Sequence, residues 1–311
     1  MTDNWKFGAR STADEVLAGH DLRSRTIVVT GANTGIGYTT ALSLAGAGAR
    51  VIFACRNIVT GEAATARAKM THPGCAAEFA ALDLASFKSI RAFADRLLAD
   101  PTAEKIDALI CNAGLASLSY AETEEGFERT VGVCHIGHFL LTRLLMPRLL
   151  AAGKPRVIMV SSESHRSPKV LDFAHLPMTR DKFSGMGAYG QAKLCNVLMA
   201  KSLQKRYGTQ GLTACSLHPG TLVTTDIGRS SFVVGLLMKV VSPFTKSPEQ
   251  GAATSVEAVV HEPAAELAGV YLNHCRPAAD SQLANDAAVA QQLWDASEAW
   301  VGRLENLPAW P

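Results

Sequence analysis

From residue 25 onward, short runs of apolar and β-branched residues alternate with longer stretches in which apolar positions recur every three or four residues. The runs are 26–30 (TIVVT), 50–54 (RVIFA), 106–111 (IDALIC), 156–161 (RVIMVS) and 212–217 (LTACSL), with a weaker one at 76–82. Such runs suit strands buried on both faces, as a parallel sheet requires. Between them a helical period appears at 36–48, 59–70, 86–99, 124–150 and 188–207. This alternation predicts an α/β fold, a Rossmann-type doubly wound parallel sheet. A late strand at 270–272 and a terminal helix near 284–304 complete it. No repeat, low-complexity tract or linker intervenes. The reading is therefore a single domain over 25–311, preceded by an N-terminal extension of residues 1–24.

Composition narrows the function. The 311 residues are 48% apolar and 19% charged, which is ordinary for a folded protein with a sizeable core. A net charge of +2 from scattered Lys and Arg supplies no concentrated basic patch, so no nucleic acid is expected as partner. The seven cysteines form no C-x-x-C pair, and most lie in apolar stretches. They read as buried free thiols of a reducing compartment, with no disulfide framework and no metal site. The first residues are polar, and no run approaches the roughly 18 apolar residues of a membrane span. A cytoplasmic protein with no membrane span is the expectation.

The first run leads into Gly31-Ala32-Asn33-Thr34-Gly35-Ile36-Gly37 and then a helical stretch. Glycines between strand and helix let the backbone approach a pyrophosphate, and the helix N-terminus supplies amide donors and a favourable dipole. The second run ends in Ala54-Cys55-Arg56, with no acid before Glu62. NAD-specific sheets usually place Asp or Glu there for the ribose 2′-hydroxyl. The guanidinium of Arg56 suits a 2′-phosphate instead, which points to NADP(H). Asp83 and Leu84 follow the third run, and Asn112, Ala113 and Gly114 the fourth. Both groups fall at carboxyl ends of strands, where open α/β sheets bind ligands. Each taken alone is equally a turn residue or a helix cap.

Tyr189 and Lys193 stand four apart in a helical stretch and so share a face. A phenol, with a pKa of about 10, becomes a useful acid and base near neutrality only with a cation beside it. Ser162, at the end of the fifth run, offers a hydroxyl to a substrate carbonyl. Pro219, Gly220 and Thr224 follow the sixth run, where they could border the nicotinamide half of a cofactor or simply form a loop.

Taken in this order, TGxxxGIG, NAG, Ser162, YxxxK and PGxxxT resemble the signature of the short-chain dehydrogenase/reductase family over nearly the whole chain. More narrowly, the chain resembles the oxidoreductase domain of WW-domain-containing oxidoreductases and the retinol dehydrogenases. The stretches carrying that are ACRN at 54–57, HIGHFLLTRLL at 135–145, VSSESHR at 160–166, AKLCN at 192–196 and PFTKSPEQGAAT at 243–254. The WW modules are absent. The resemblance implies hydride transfer with Ser162, Tyr189 and Lys193 as the catalytic set. It also implies dimer faces around 124–150 and 188–207, which the long 163–188 segment could block. Cys134 departs from the family pattern, which has Asn there to anchor a water behind the lysine. A thiol is a poor substitute hydrogen-bonding group.

The apolar stretch 231–244 (SFVVGLLMKVVSPF) reads as part of a substrate lid near 221–247, with a core helix as the plainer reading and a membrane-surface patch as the third. A lid implies a small hydrophobic carbonyl or alcohol substrate, steroid-, retinoid- or long-chain-like. The contrasting expectation is a dinucleotide-binding sensor or scaffold with weak turnover, for which Cys134 speaks and the intact Ser162, Tyr189 and Lys193 do not.

Overall fold

The computed structural model describes residues 4–220, 246–302, 307, 310 and 311. Among these, the chain runs through α1 (Ala13–Leu17), β1 (Thr26–Thr30), α2 (Gly35–Gly46), β2 (Arg50–Cys55), α3 (Ile58–Thr71), β3 (Ala77–Ala81), α4 (Phe87–Ala99) and β4 (Ala108–Cys111). Then come α5 (Arg129–Val131), a π turn at Gly132–Ile136, α6 (Gly137–Leu150), β5 (Arg156–Val160), α7 (Gly185–Tyr207) and β6 (Thr213–His218). The last elements are α8 (Pro248–Val260), β7 (Tyr271–Asn273), β8 (Arg276–Ala278) and α9 (Ala287–Gly302).

The strands form one sheet in the order β3-β2-β1-β4-β5-β6-β7-β8. Every neighbouring pair is parallel except β7–β8. All five residues of β1 are buried, because both faces of the sheet are covered. Ile27 and Val29 face a core built with α1, α2, α3 and α8. Val28 faces the other core, built with α4, α6, α7 and α9. This is the doubly wound parallel sheet that the uninterrupted apolar runs predict.

Several boundaries differ from the sequence reading, each for a local reason. The 124–150 stretch becomes helical only after Glu128, whose carboxylate accepts from the amides of Thr130 (2.8 Å) and Val131 (2.9 Å). Glu125 serves another helix, accepting from the Phe87 amide at the start of α4 (2.6 Å). The fourth strand is shorter than 106–111; the Asp107 carboxylate takes the Thr26 amide at 2.8 Å. α1 and α8 were not anticipated, although both open with a reciprocal capping box, Thr12 with Glu15 and Ser247 with Gln250. β8 is a three-residue edge strand containing Pro277 and carries no alternating pattern. The 231–244 segment and the rest of 221–245 lie outside the described residues.

Residues 4–10 lie along α8. Trp5 stacks on His261 at its C-terminal end, with ring centroids 3.7 Å apart, while Gln250 near its N-terminal end donates to the Arg10 carbonyl (3.2 Å). His261 is held in turn by Glu257 (2.9 Å) and Glu266 (3.0 Å).

On the opposite face, α9 lies against α7 and α6. Phe139 meets Trp294 and Trp310 edge-on, at centroid distances of 5.1 and 5.6 Å. The Arg206 guanidinium stands 4.3 Å from the Trp294 ring centre, and Arg143 pairs with Glu298. His135 in the π turn hydrogen-bonds Ser297 of α9 at 2.8 Å. Among the described residues no helix is long and apolar enough to cross a membrane, and no cluster of three or more His, Cys, Asp or Glu could hold a metal.

Phe139 is the centre of this aromatic cover and is 1% exposed. Replacing it with Ala removes a buried ring and leaves a cavity, a loss of about 3–5 kcal/mol. Urea unfolding of Phe139→Ala should show that loss; a change below about 1 kcal/mol would mean the cover is dispensable for stability.

Candidate active site

β1 is flanked by β2 on one side and β4 on the other, so the winding reverses between them. At such a switch point the loops leaving the strands diverge and leave a crevice. A cleft of about 510 Å³ opens there, with Arg56 and Asp83 at one end and Tyr189, Lys193 and Pro219 at the other. Of the residues singled out from sequence, Gly31, Asn33, Thr34, Gly35, Ile36, Gly37, Arg56, Asp83, Leu84, Asn112, Ala113, Gly114, Tyr189, Lys193 and Pro219 line it. Ser162 and Gly220 are not on its wall, and Thr224 lies outside the described residues.

The cleft floor is tied together by one hydroxyl. Thr30 Oγ1 accepts from the amides of Asn112 and Ala113, both at 2.9 Å, and lies 2.8 Å from His138 Nε2. His138 Nδ1 lies 3.0 Å from the Cys134 carbonyl, which can only accept. His138 must therefore carry its proton on Nδ1, and Nε2 accepts from Thr30. The hydroxyl thus uses its proton and both lone pairs. Asn112 completes the floor by donating its side-chain amide to the Thr30 carbonyl (2.8 Å). Gly37 fits against that amide: a Cβ there would stand 2.3 Å from Asn112 Nδ2 and 2.4 Å from the Gly31 carbonyl. The start of α2 therefore presses against the floor, and Thr34, Gly35, Ile36 and Gly37 line the cleft there.

At the beginning of α3, Asn57 caps the helix by accepting from the Thr60 amide (3.0 Å), and Thr60 Oγ1 accepts from Asn33 (3.1 Å). Arg56, immediately before this cap, is exposed and lines one end of the cleft. Asp83 also has a local role, accepting from the Ala85 amide at 2.9 Å.

Lys193 is 4% exposed, and its ammonium donates to the Val160 carbonyl at 3.1 Å. Asn196, one turn further on, donates to the same carbonyl at 3.1 Å. The ammonium stands 5.5 Å from the centre of the Tyr189 ring. Backbone from the end of β5 thus fixes the cation that the helical spacing places beside the phenol. The two serines after β5 divide their tasks. Ser161 donates to the Lys193 carbonyl (2.7 Å), locking strand to helix. Ser162 caps the following turn by accepting from the Ser164 amide (3.2 Å).

The Cys134 thiol reaches the Leu115 carbonyl at 3.7 Å. Gly114 lies between it and the lysine: a Cβ on Gly114 would stand 3.4 Å from Cys134 Sγ and 3.1 Å from Lys193 Nζ. The helix bearing Cys134 therefore passes close to the lysine, as the resemblance implies. Cys55, on the cleft wall, is no thiolate; burial pushes it up to about 12. Sequence reasoning did not single out Thr30, His138, Asn196 or the Val160 carbonyl. His138 and Asn196 had a signal, since each is a polar residue inside an apolar helical stretch. A backbone carbonyl has none.

The sequence pattern of the family described as short chain dehydrogenase matches residues 25–175. A WW domain-containing oxidoreductase of Drosophila melanogaster is 43% identical over 305 residues, covering 96% of this chain and 74% of that protein. Retinol dehydrogenase 12 of Mus musculus is 40% identical over 273 residues, covering 88% of this chain and 85% of that one. The crystal structure of an uncharacterized protein from Mycobacterium paratuberculosis superposes with a TM-score of 0.75 at 31% identity, covering 97% and 99% of the two chains.

Burial sets a pH limit on this floor. It pushes His138 down from the ordinary 6.5 to about 4 and His135 to about 3. Both are neutral when folded and free to protonate when unfolded, so their contribution to stability is complete above about pH 6.5 and is lost as pH falls towards 4. Each should add a slope of about 1.4 kcal/mol per pH unit across that window. Chemical denaturation between pH 7 and pH 4.5 should show this dependence, and His138→Gln should remove one proton's share of it. An unchanged slope would mean that His138 is protonated in the folded state.

Proposed function

The chain belongs to the short-chain dehydrogenase/reductase family and is an oxidoreductase; we propose that it works with NADP(H) on hydrophobic ketones, aldehydes or secondary alcohols. The observation that carries this reading is the single cleft with Arg56 at one end and the Tyr189–Lys193 pair at the other. The glycine turn lets the start of α2 pack directly on Asn112 and the Gly31 carbonyl, which brings a helix N-terminus to the cleft for a pyrophosphate. After β2 the chain offers Arg56 and Asn57 and no acid, a donor set for a 2′-phosphate rather than a free 2′-hydroxyl.

When bound, the nicotinamide supplies or accepts the hydride. Tyr189 gives its proton to the carbonyl oxygen in reduction and takes it back in oxidation. The Lys193 ammonium, fixed by Val160, stabilises negative charge on the phenol oxygen. Ser162, whose hydroxyl rests at the Ser164 amide, turns to hydrogen-bond the substrate oxygen. Preference for a hydrophobic substrate is supported by the mouth of the cleft. Leu115, Ala116 and Val133 line it, and Leu118, three residues beyond Leu115, is exposed beside Gly185. The Mus musculus relative bears the name retinol dehydrogenase 12, which fits a substrate of this kind. In this reading 25–311 form one catalytic domain in a cytoplasmic protein, with 221–247 as its lid.

A sensor or scaffold with weak turnover is favoured by one residue, Cys134, whose contact with the Leu115 carbonyl is a long sulfur contact. The retained Tyr189–Lys193 geometry favours catalysis.

A panel of carbonyl substrates assayed with NADPH and NADH side by side should show turnover and a preference for NADPH. Arg56→Ala should raise the Michaelis constant for NADPH about ten- to a hundredfold, the worth of a charge-assisted contact, and leave NADH nearly unchanged. Equal affinity of the unaltered protein for both cofactors would refute the 2′-phosphate assignment. Tyr189→Phe should lower turnover by about 10²–10⁴ while NADPH still binds, since ring packing is kept and only the hydroxyl goes. Retained activity would place the proton on another group.

A further inference from the structure

Lys246 immediately precedes Ser247, the N-cap of α8. It is half-buried, and among the described residues no carboxylate pairs with it. Its side chain lies across Gly220: a Cβ there would stand 2.4 Å from Lys246 Cδ and 3.1 Å from Nζ. Gly220 also has φ +121°, so backbone conformation and close approach both demand glycine. Pro219, its neighbour in the chain, lines the nicotinamide end of the cleft.

The sheet topology brings this cation to an anion-binding corner. α2 follows β1 and α8 precedes β7, so both run back from the carboxyl edge of the sheet, and they pack side by side. Their N-termini therefore point to one edge, the edge on which the cleft opens. The amides at the start of α2 are the ones placed for a pyrophosphate. Other titratable groups nearby do not compete. His218, just before Pro219, is 6% exposed with neither ring nitrogen hydrogen-bonded, and burial pushes it down to about 4, so it is neutral. Burial likewise holds the half-exposed His274 below its ordinary value. Glu163 is engaged by Arg166 (2.7 Å) and Tyr271 (2.9 Å). Cys275 is a buried thiol pushed up to about 11. Glu249, in the first turn of α8, is exposed, and among the described residues Lys246 is left as the half-buried cation of this corner with no carboxylate bonded to it.

We propose that Lys246 is a cofactor-binding residue whose ammonium takes the pyrophosphate of the dinucleotide from the nicotinamide side of the cleft. This rests on the dinucleotide reading above. It adds a contact that the glycine turn alone does not supply, since the turn meets the same group through neutral backbone amides.

The test is direct binding to the full chain, with two probes. NADPH carries the complete pyrophosphate. Adenosine 2′,5′-bisphosphate carries the 2′-phosphate and the adenosine-side phosphate only. Lys246→Met should weaken NADPH about tenfold, the lower end for a charge-assisted contact at a half-exposed group, and change adenosine 2′,5′-bisphosphate by less than about twofold. Lys246→Arg, which keeps the charge, should stay within about threefold of the unaltered protein for both. Unchanged NADPH affinity in Lys246→Met overturns the proposal, as does equal weakening of both probes at an unaltered Tm. If Lys246→Met does not fold, Lys246→Arg and Lys246→Gln decide: a folded arginine variant that loses as much NADPH affinity as the glutamine variant also overturns it. Should the unaltered protein bind neither probe, the dinucleotide reading fails first. If it binds both and Lys246→Met matches it, only the present inference fails.

Discussion

The cleft depends on the hydroxyl of Thr30. Its two lone pairs hold the amides of Asn112 and Ala113, and its proton goes to His138. Three separate pieces of chain meet there: the end of β1, the loop after β4 and the helix that carries Cys134. The arrangement works for one tautomer of a neutral imidazole, and burial keeps His138 neutral. Valine has the shape of threonine at this position but none of its hydrogen bonds; it would leave the Ala113 amide and a ring nitrogen without partners, and the Asn112 amide with the Ile110 carbonyl alone. The threonine at the end of an apolar run is thus a constraint on how the two halves of the sheet meet.

A second constraint concerns the lysine. A helix alone sets Lys193 on the same face as Tyr189, but four methylenes leave its ammonium many places to go. The Val160 carbonyl removes that freedom. Asn196 donates to the same oxygen, so strand and helix are tied by two side chains at one point. The π turn has a comparable effect on the neighbouring helix: the Gly137 amide reaches back to the Gly132 carbonyl, five residues away. That extra residue rotates the segment bearing Val133 and Cys134 relative to α6.

Much of this was legible in the sequence, for physical reasons. A strand buried on both faces has no room for an alternating polar residue, so TIVVT and RVIMV announce themselves. A turn that must pass close to backbone needs Gly37, and a phenol with a helical cation needs a spacing of four. What stayed hidden depends on contacts between distant segments. Ser161 and Ser162 are adjacent and chemically alike, yet one is spent on the Lys193 carbonyl and the other on a turn. Nothing in hydropathy separates them. The π turn shifts a hydrogen-bond register without altering the apolar pattern around it. α8 was hidden differently: its capping box was present, but its small residues, such as Ala252 and Ala253, gave no strong amphipathic stripe.

The path of residues 4–10 along α8 fixes where the chain enters the fold. Trp5 is pinned at His261, at the C-terminal end of a 13-residue helix whose other end meets the cleft edge. At about 1.5 Å per residue, entry point and active-site edge stand roughly 20 Å apart on opposite rims of the sheet. Anything joined ahead of this segment would be tethered to the rear of the enzyme. It could recruit a partner or a surface without crowding the mouth, and the α8 clasp would decouple its movements from the chemistry at the front.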